Sequence, residues 1–361
     1  MYWKCLKVQK NTVHIPKLIF KKGQNMKAVV ISQPGKVVLK DIPYPKPGQD
    51  EITIKVKNCG VCGTDYHIYN GDFVGSYPIV PGHEISGTVY ELGSGVSEPE
   101  IGTRVAVDPT IFCGNCYFCK TNRGNHCLNW QALGVTRNGG FSEYIVVPQK
   151  NVYPISEKIS LIEAAFIEPV SCIVSSLNKL KIKTGDNVLI FGAGPIGLQI
   201  GQLVRHGNAA SVTISDLEPA RLELARKLGF TKTVPVDNSQ KGILSNIAPL
   251  GFDIVIDATG ISKVAESTFL YVKNTGKIMF FGVCPQSENI SVNPFNIYRR
   301  DLEIYGSFSL CYTFYPAIDF FENKVLSVEP LTSDLIPLEV LLKTLELKHP
   351  KKGKMKIVVN L

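Results

Sequence analysis

The texture of the chain changes twice. From Met26 to about Pro148 the apolar residues come in short runs that alternate with polar ones. Examples are Glu51 to Val56 (EITIKV) and Thr103 to Val107 (TRVAV), with Gly and Pro between the runs. Period-two runs bounded by turn residues predict β-strands, and their density predicts a compact antiparallel domain with functional loops. Around residue 185 the runs become continuously apolar: Asn187 to Phe191 (NVLIF), Ser211 to Ser215 (SVTIS), Phe252 to Asp257 (FDIVID) and Lys277 to Phe281 (KIMFF). Amphipathic stretches such as ARLELARKLG separate them. Strands buried on both faces and alternating with helices predict a doubly wound parallel sheet over about 180–308. The last fifty or so residues return to mixed texture and end in MKIVVNL, which reads as a strand added back to the first domain.

A chain of 361 residues is too long for one ordinary core and predicts two domains, one of residues 26–179 with 309–361 and one of residues 180–308. The net charge of +8 suggests a nucleic-acid partner until it is located. Residues 1–25 hold Lys4, Lys7, Lys10, Lys17, Lys21 and Lys22 and no acid, so the body is left at about +2. A nearly neutral body disfavours phosphate binding, and no nucleic-acid partner is expected. The extension lacks Arg, Ser and a long apolar core, so it reads as a disordered upstream segment rather than a targeting signal. No stretch approaches the roughly 18 apolar residues of a membrane span. Ten cysteines, at least four of them in a metal-like pattern, point to a reducing cytoplasm.

That pattern is CGNCYFCKTNRGNHC, in which Cys113, Cys116, Cys119 and Cys127 can converge on one tetrahedral zinc. Disulfides compete with this reading, but neighbours two residues apart bridge poorly. By itself the cluster also suits a zinc ribbon that grips nucleic acid. Little basic or aromatic surface beyond Lys120 and Arg123 supports that use.

A second motif is GAGPIG, Gly192 to Gly197, placed after the NVLIF strand and before an amphipathic run. Gly192, Gly194 and Gly197 let the backbone approach a pyrophosphate, and Pro195 and Ile196 open the helix whose free N–H groups receive it. Asp216, 19 residues after Gly197, supplies a carboxylate for ribose hydroxyls and would repel the extra phosphate of NADP, so NAD is expected. Arg221 would stack on adenine or recover some NADP affinity, unless it is only a solvated helix charge. Thr259, Gly260, Gly282 and Val283 follow the next strands at the edge where the ligand crevice must lie.

Cys62 stands in CGTDYH and His83 and Glu84 in PGHE, with Glu168 further on in EPVSC. A catalytic zinc needs about three protein ligands and an open position, which this set can supply. Taken singly, Cys62 also reads as a small core residue and His83 as a satisfied loop histidine.

With CGTDYH, GHE, the four-cysteine lobe, EPVSC, GAGPIG and DLEPAR in this order, the chain from about Met26 to Leu361 resembles the zinc-dependent medium-chain dehydrogenases. It is close to the polyol dehydrogenases, such as those for sorbitol and arabinitol, and to threonine dehydrogenase. The resemblance implies a chaperonin-10-like (GroES-like) β-barrel domain, a Rossmann domain and an active site in the cleft between them. It places a catalytic zinc on Cys62, His83 and Glu168, with Glu84 as a glutamate that approaches or replaces a ligand. A second, structural zinc falls to the four cysteines, and Cys172 reads as core packing. Thr64 and His67 are nominated as the path by which the alcohol proton leaves. The implied reaction is NAD-dependent oxidation of a polyol to a ketose by a homo-oligomer, dimer or tetramer. An amino-alcohol substrate is the alternative, with Arg299 or Arg300 as the cation for its carboxylate unless the two form only an exposed basic turn. A non-catalytic NAD-binding relative is another, disfavoured because the ligand set is retained.

Overall fold

The computed structural model describes residues 25–73, 75–347 and 353–361, so the basic extension lies outside the described residues except for Asn25. β1 (Asn25–Gln33) and β2 (Lys36–Pro43) form an antiparallel hairpin turned by Pro34 and Gly35. β3 (Glu51–Gly60) runs through the centre of the first domain, and its apolar positions Ile52, Ile54 and Val56 enter the core. It is followed by α1 (Gly63–Asn70), β4 (Glu84–Leu92) and β5 (Arg104–Val107). A small ribbon, β6 (Thr110–Ile111) with β7 (Gln131–Ala132), brackets the cysteine lobe and its one-turn helix α2 (Tyr117–Lys120). β8 (Tyr144–Pro148) and β9 (Val152–Pro154) return to the sheet, and α3 (Leu161–Ala164) starts at a capping box of Ser160 and Glu163.

α4 (Ile167–Leu180) leads into the second domain. β10 (Asn187–Phe191), β11 (Ser211–Asp216), β12 (Lys232–Pro235), β13 (Phe252–Asp257), β14 (Val272–Phe280) and β15 (Glu303–Gly306) form one parallel sheet in the order β12-β11-β10-β13-β14-β15. The helices α5 (Pro195–His206), α6 (Pro219–Lys227), α7 (Gln240–Ile247), α8 (Ser262–Tyr271) and α9 (Pro294–Arg299) connect the strands. Proline opens α5 and α6 at the first turn, where its missing N–H costs no helical bond. Val188, Leu189 and Ile190 of β10 are fully buried, which explains their continuous apolar run. The strand order reverses between β10 and β13, and that reversal opens a crevice beyond their carboxyl ends.

The chain then returns through α10 (Phe314–Glu322), β16 (Thr332–Ile336), α11 (Leu338–Leu345) and β17 (Lys356–Asn360). β17 pairs antiparallel with β3 and completes the first domain's sheet, β16-β17-β3-β4-β5-β9 with β8 also on β3. The two domains are not separated by a simple linker. Phe166, Val170 and Ile173 of the α4 region share a core with Leu198 and Ile200 of α5 and with Phe314 and Phe321 of α10. Ser171 and Thr313 also join hydroxyl to hydroxyl at 2.9 Å. Residues on both sides of 179 and of 308 therefore belong to one apolar interior.

Phe314 is almost fully buried in the shared core and its ring lies 4.6 Å from that of Tyr153. Replacing it by Ala is expected to lower the unfolding free energy by about 3–5 kcal/mol, read as an earlier urea midpoint. A loss under about 1 kcal/mol would show that Phe314 contributes little to the shared interior.

Candidate active site

Asp65 assembles the first half of the site. It stands at the third position of α1, where its Oδ2 accepts the N–H of Cys62 at 2.8 Å in a capping box. Its Oδ1 accepts the N–H of Gly82 at 3.1 Å, so one buried carboxylate ties the CGTDYH loop to the PGHE loop. Cys62, His83 and Glu84 thereby meet, with their ligand atoms all within 4.8 Å of one another. His83 Nδ1 lies 3.7 Å from Asp65 Oδ1, so the carboxylate also stands behind the imidazole. Glu168, on the first turn of α4, borders this trio without belonging to it, and the Cys172 thiol donates to its Oε1 at 3.4 Å. Thr64 Oγ1 lies 3.8 Å from the Cys62 sulfur. His67 is a third exposed, with Nδ1 3.4 Å from Asp72 Oδ2.

The charge balance of this pocket is unusual. Asp65, Glu84 and Glu168 are 0%, 1% and 8% exposed, and among the described residues only His83 and Lys356 supply positive charge inside it. Lys356, from β17, is ion-paired with Glu84. Gly60, opposite Glu84 in the β3–β4 register, makes room for the pair, because a Cβ there would strike the Glu84 carboxylate and the Lys356 chain. Burial pushes Asp65 up and pushes Glu168 up to about 7, although His83 pulls both back. Burial acts to lower His83, but Asp65, Cys62 and Glu168 outweigh it and hold its pKa well above the ordinary value. His83 Nδ1 finds no hydrogen-bond partner, whereas both Glu84 oxygens are met by the Lys356 ammonium. A surplus of buried anionic groups around one thiol and one imidazole fits a divalent cation, and that donor set suits zinc.

The second cluster is of another kind. Sulfur–sulfur distances are 3.5 Å for Cys116–Cys119 and 3.9 Å for both Cys113–Cys119 and Cys116–Cys127. A tetrahedron with metal–sulfur bonds of 2.3 Å has edges of about 3.8 Å, whereas a disulfide needs about 2.05 Å. Backbone N–H groups of Cys119 and Leu128 pull Cys116 down to about 6, and those of Cys113 and Asn129 reach the Cys127 sulfur at 3.3 Å. Four sulfurs fill a tetrahedral metal and leave no open position. The lobe rests on the loop after β15: Asn125 Nδ2 donates to Phe308 O at 2.8 Å, and the Trp130 and Phe308 rings are 5.7 Å apart.

The glycine motif forms the turn between β10 and α5. Gly192 has φ +104°, and a Cβ on Gly197 would lie 1.9 Å from Gly192 O, so neither position admits a side chain. Gly194 caps α5, Pro195 is its first residue and Ile196 its second. Asp216 ends β11 and accepts from Ala193 N at 2.6 Å and Glu218 N at 2.7 Å, so it braces the loop as well as facing the crevice. Arg221 lies 3.8 Å from Asp216 and donates through Nη2 to Lys354 O at 3.1 Å, across the gap between the domains. Thr259 is bound to Asp257 Oδ1 through its N–H and hydroxyl, Gly260 packs against Val283, and Gly282 fits against Gly260. Val283 is largely exposed at this edge.

Three sequence readings change. Arg300 is spent on Asn274, Phe269 O and Val272 O, at the amino end of β14. Arg299 closes α9 on the same side, away from the carboxyl-edge crevice, so neither serves a substrate carboxylate there. Arg221 is not merely a solvated charge, and Cys172 does more than fill the core, since its thiol reaches Glu168. Asp65 and Lys356 escaped notice. The signal for Lys356 was a lysine on the inward face of the apolar strand KIVVN; that for Asp65 was an acid three residues into a helix that starts on a cysteine.

Residues 48–157 match the family described as alcohol dehydrogenase GroES-like domain, and residues 195–323 match that described as zinc-binding dehydrogenase. The chain is 35% identical over 339 residues to D-altritol 5-dehydrogenase of Agrobacterium fabrum, covering 92% of this chain and 98% of the relative. It is 33% identical over 324 residues to an L-threonine 3-dehydrogenase of Rhizobium etli, covering 87% and 92%. Among solved structures, a zinc-binding dehydrogenase of Sinorhizobium meliloti bound to NADP aligns with a TM-score of 0.89 at 33% identity, over 94% of this chain and 100% of that one.

Asp65→Asn is expected to weaken metal binding at Cys62 and His83 by about 10–100-fold, measured by chelator competition. Unchanged affinity would remove Asp65 from the site. Affinity is also expected to fall as pH drops from 8 to 6, because Glu168 near about 7 and the raised His83 take up protons that the metal must displace. The slope is at most about tenfold per pH unit for each competing proton; a flat profile would contradict the assignment.

Proposed function

We propose that this chain, which belongs to the zinc-binding alcohol dehydrogenase family, reversibly oxidises a secondary alcohol of a polyol to the ketose with NAD as acceptor. It is a zinc- and nicotinamide-dependent dehydrogenase of a small-molecule substrate; the polyol, NAD and the individual residue roles are the proposal. One observation carries it. Lys354 touches Arg221 at the nucleotide crevice and Lys356 touches Glu84 beside Cys62 and His83, so at most about 7 Å of chain spans the two sites.

In this reading Cys62, His83 and Glu168 hold the catalytic zinc, with Glu84 kept in reserve by Lys356. The four cysteines hold a second zinc that has no chemical role. When bound, zinc would lower the pKa of a hydroxyl it contacts and the nicotinamide would accept hydride. In this reading Thr64, beside Cys62, takes the alcohol proton and His67, a third exposed, passes it to solvent with Asp72 at its side. Gly192 to Gly197 receive the pyrophosphate and Asp216 the ribose hydroxyls. The Asp216 charge favours NAD, and Arg221 leaves NADP some affinity. Thr259, Gly260, Gly282 and Val283 line the nicotinamide end. A cytoplasmic homo-oligomer completes the reading; among the described residues no helix is long and apolar enough to cross a membrane.

Amino-alcohol oxidation is the second reading, kept by the relative that acts on L-threonine. The use of Arg300 inside its own domain counts against it. Steady-state rates over pentitols, hexitols, L-threonine and simple alcohols, with NAD and NADP, decide between them. Highest kcat/KM with a polyol and NAD, and two zinc ions per chain, are expected. A clear preference for L-threonine or a simple alcohol would overturn the polyol assignment.

A further inference from the structure

Glu168 is nine-tenths buried, and a buried carboxylate needs donors to fix its direction. Among the described residues, the side chain that donates to it is Cys172, whose sulfur lies 3.4 Å from Oε1. The two residues are four apart on α4 and so share one helix face. The face is itself anchored. Ser171, the residue before Cys172 on the same helix, meets the Thr313 hydroxyl at 2.9 Å, and that hydroxyl donates to Ser171 O at 2.8 Å. The Cys172 thiol is thus carried on a turn of helix that is bolted to the segment before α10. Cys172, like Glu168, lies outside the cluster formed by Cys62, His83 and Glu84, and its recorded hydrogen bond goes to Glu168.

We propose that Cys172 is a positioning residue: its S–H holds Oε1 of Glu168, leaving the other oxygen free to face the metal. This rests on Glu168 being a zinc ligand, as proposed above. An outer donor of this kind sets how precisely a carboxylate is presented, and its loss typically costs 10–100-fold in metal affinity. Serine keeps a donor at the same place and alanine removes it. The two substitutions therefore separate donation from packing.

The experiment uses the full chain and measures catalytic-site zinc affinity by chelator competition for wild type, Cys172→Ala, Cys172→Ser, Glu168→Gln and the Cys172→Ala/Glu168→Gln pair. The absorption of each protein with cobalt in the catalytic site is recorded beside it. Cys172→Ala is expected to weaken binding by about tenfold, Cys172→Ser to stay within about threefold of wild type, and Cys172→Ala to add nothing once Glu168 is Gln. Sulfur-to-cobalt charge-transfer intensity is expected to be the same in all. If Glu168→Gln weakens binding while Cys172→Ala does not, or if the two losses simply add, the positioning role is wrong and the ligand assignment survives. A fall in charge-transfer intensity on losing Cys172 would make the thiol a ligand and also overturn the proposal. If Glu168→Gln itself leaves affinity unchanged, the ligand assignment fails, and this inference with it.

Discussion

The structure depends on keeping several acidic groups dry at one place. An isolated carboxylate taken out of water would sooner accept a proton than stay charged. Here Asp65, Glu84 and Glu168 are buried around a thiol and an imidazole, and Lys356 answers one of the charges. The remaining excess is what a dication neutralises. Local details follow from that demand: Gly60 leaves space for the Glu84–Lys356 pair, and Asp65 spends its oxygens on the backbone of both ligand loops. Burial pushes Asp65 and Glu168 toward holding protons, and a metal must compete with those protons, which ties metal binding to pH.

The same lysine explains why the end of the chain comes back. β17 pairs with β3, the strand that leads into Cys62, and brings Lys356 under Glu84. Two residues earlier, the carbonyl of Lys354 receives Arg221 from the nucleotide side, where Arg221 also faces Asp216. One short stretch thus touches the Cys62–His83–Glu84 cluster and the crevice beside the glycine turn together. The helices α4 and α10 do the corresponding work in the interior, with Phe314 against Tyr153 and Ser171 against Thr313.

The four-cysteine lobe serves the scaffold. Its sulfurs sit at tetrahedral spacing, and a metal held by all four would have no position open to a substrate. Asn125 and Trp130 carry the lobe onto Phe308 and the loop after β15, linking a segment of the first domain to the far edge of the second.

By itself the sequence determined the elements whose signals are local. The buried strand NVLIF followed by GAGPIG, the four cysteines at metal spacing, and CGTDYH with PGHE depend on neighbours in the chain. Each is legible because backbone period, turn chemistry and ligand spacing act over a few residues. The class of fold was legible for the same reason, and the residue types told of a metal and a dinucleotide. Tertiary structure alone decided what those residues face. It spent Arg300 on its own domain, turned Cys172 toward Glu168, and paired Lys356 with a glutamate 272 positions away. No local rule encodes such partners, because a buried charge is answered by whichever group the fold brings to it, however distant in sequence.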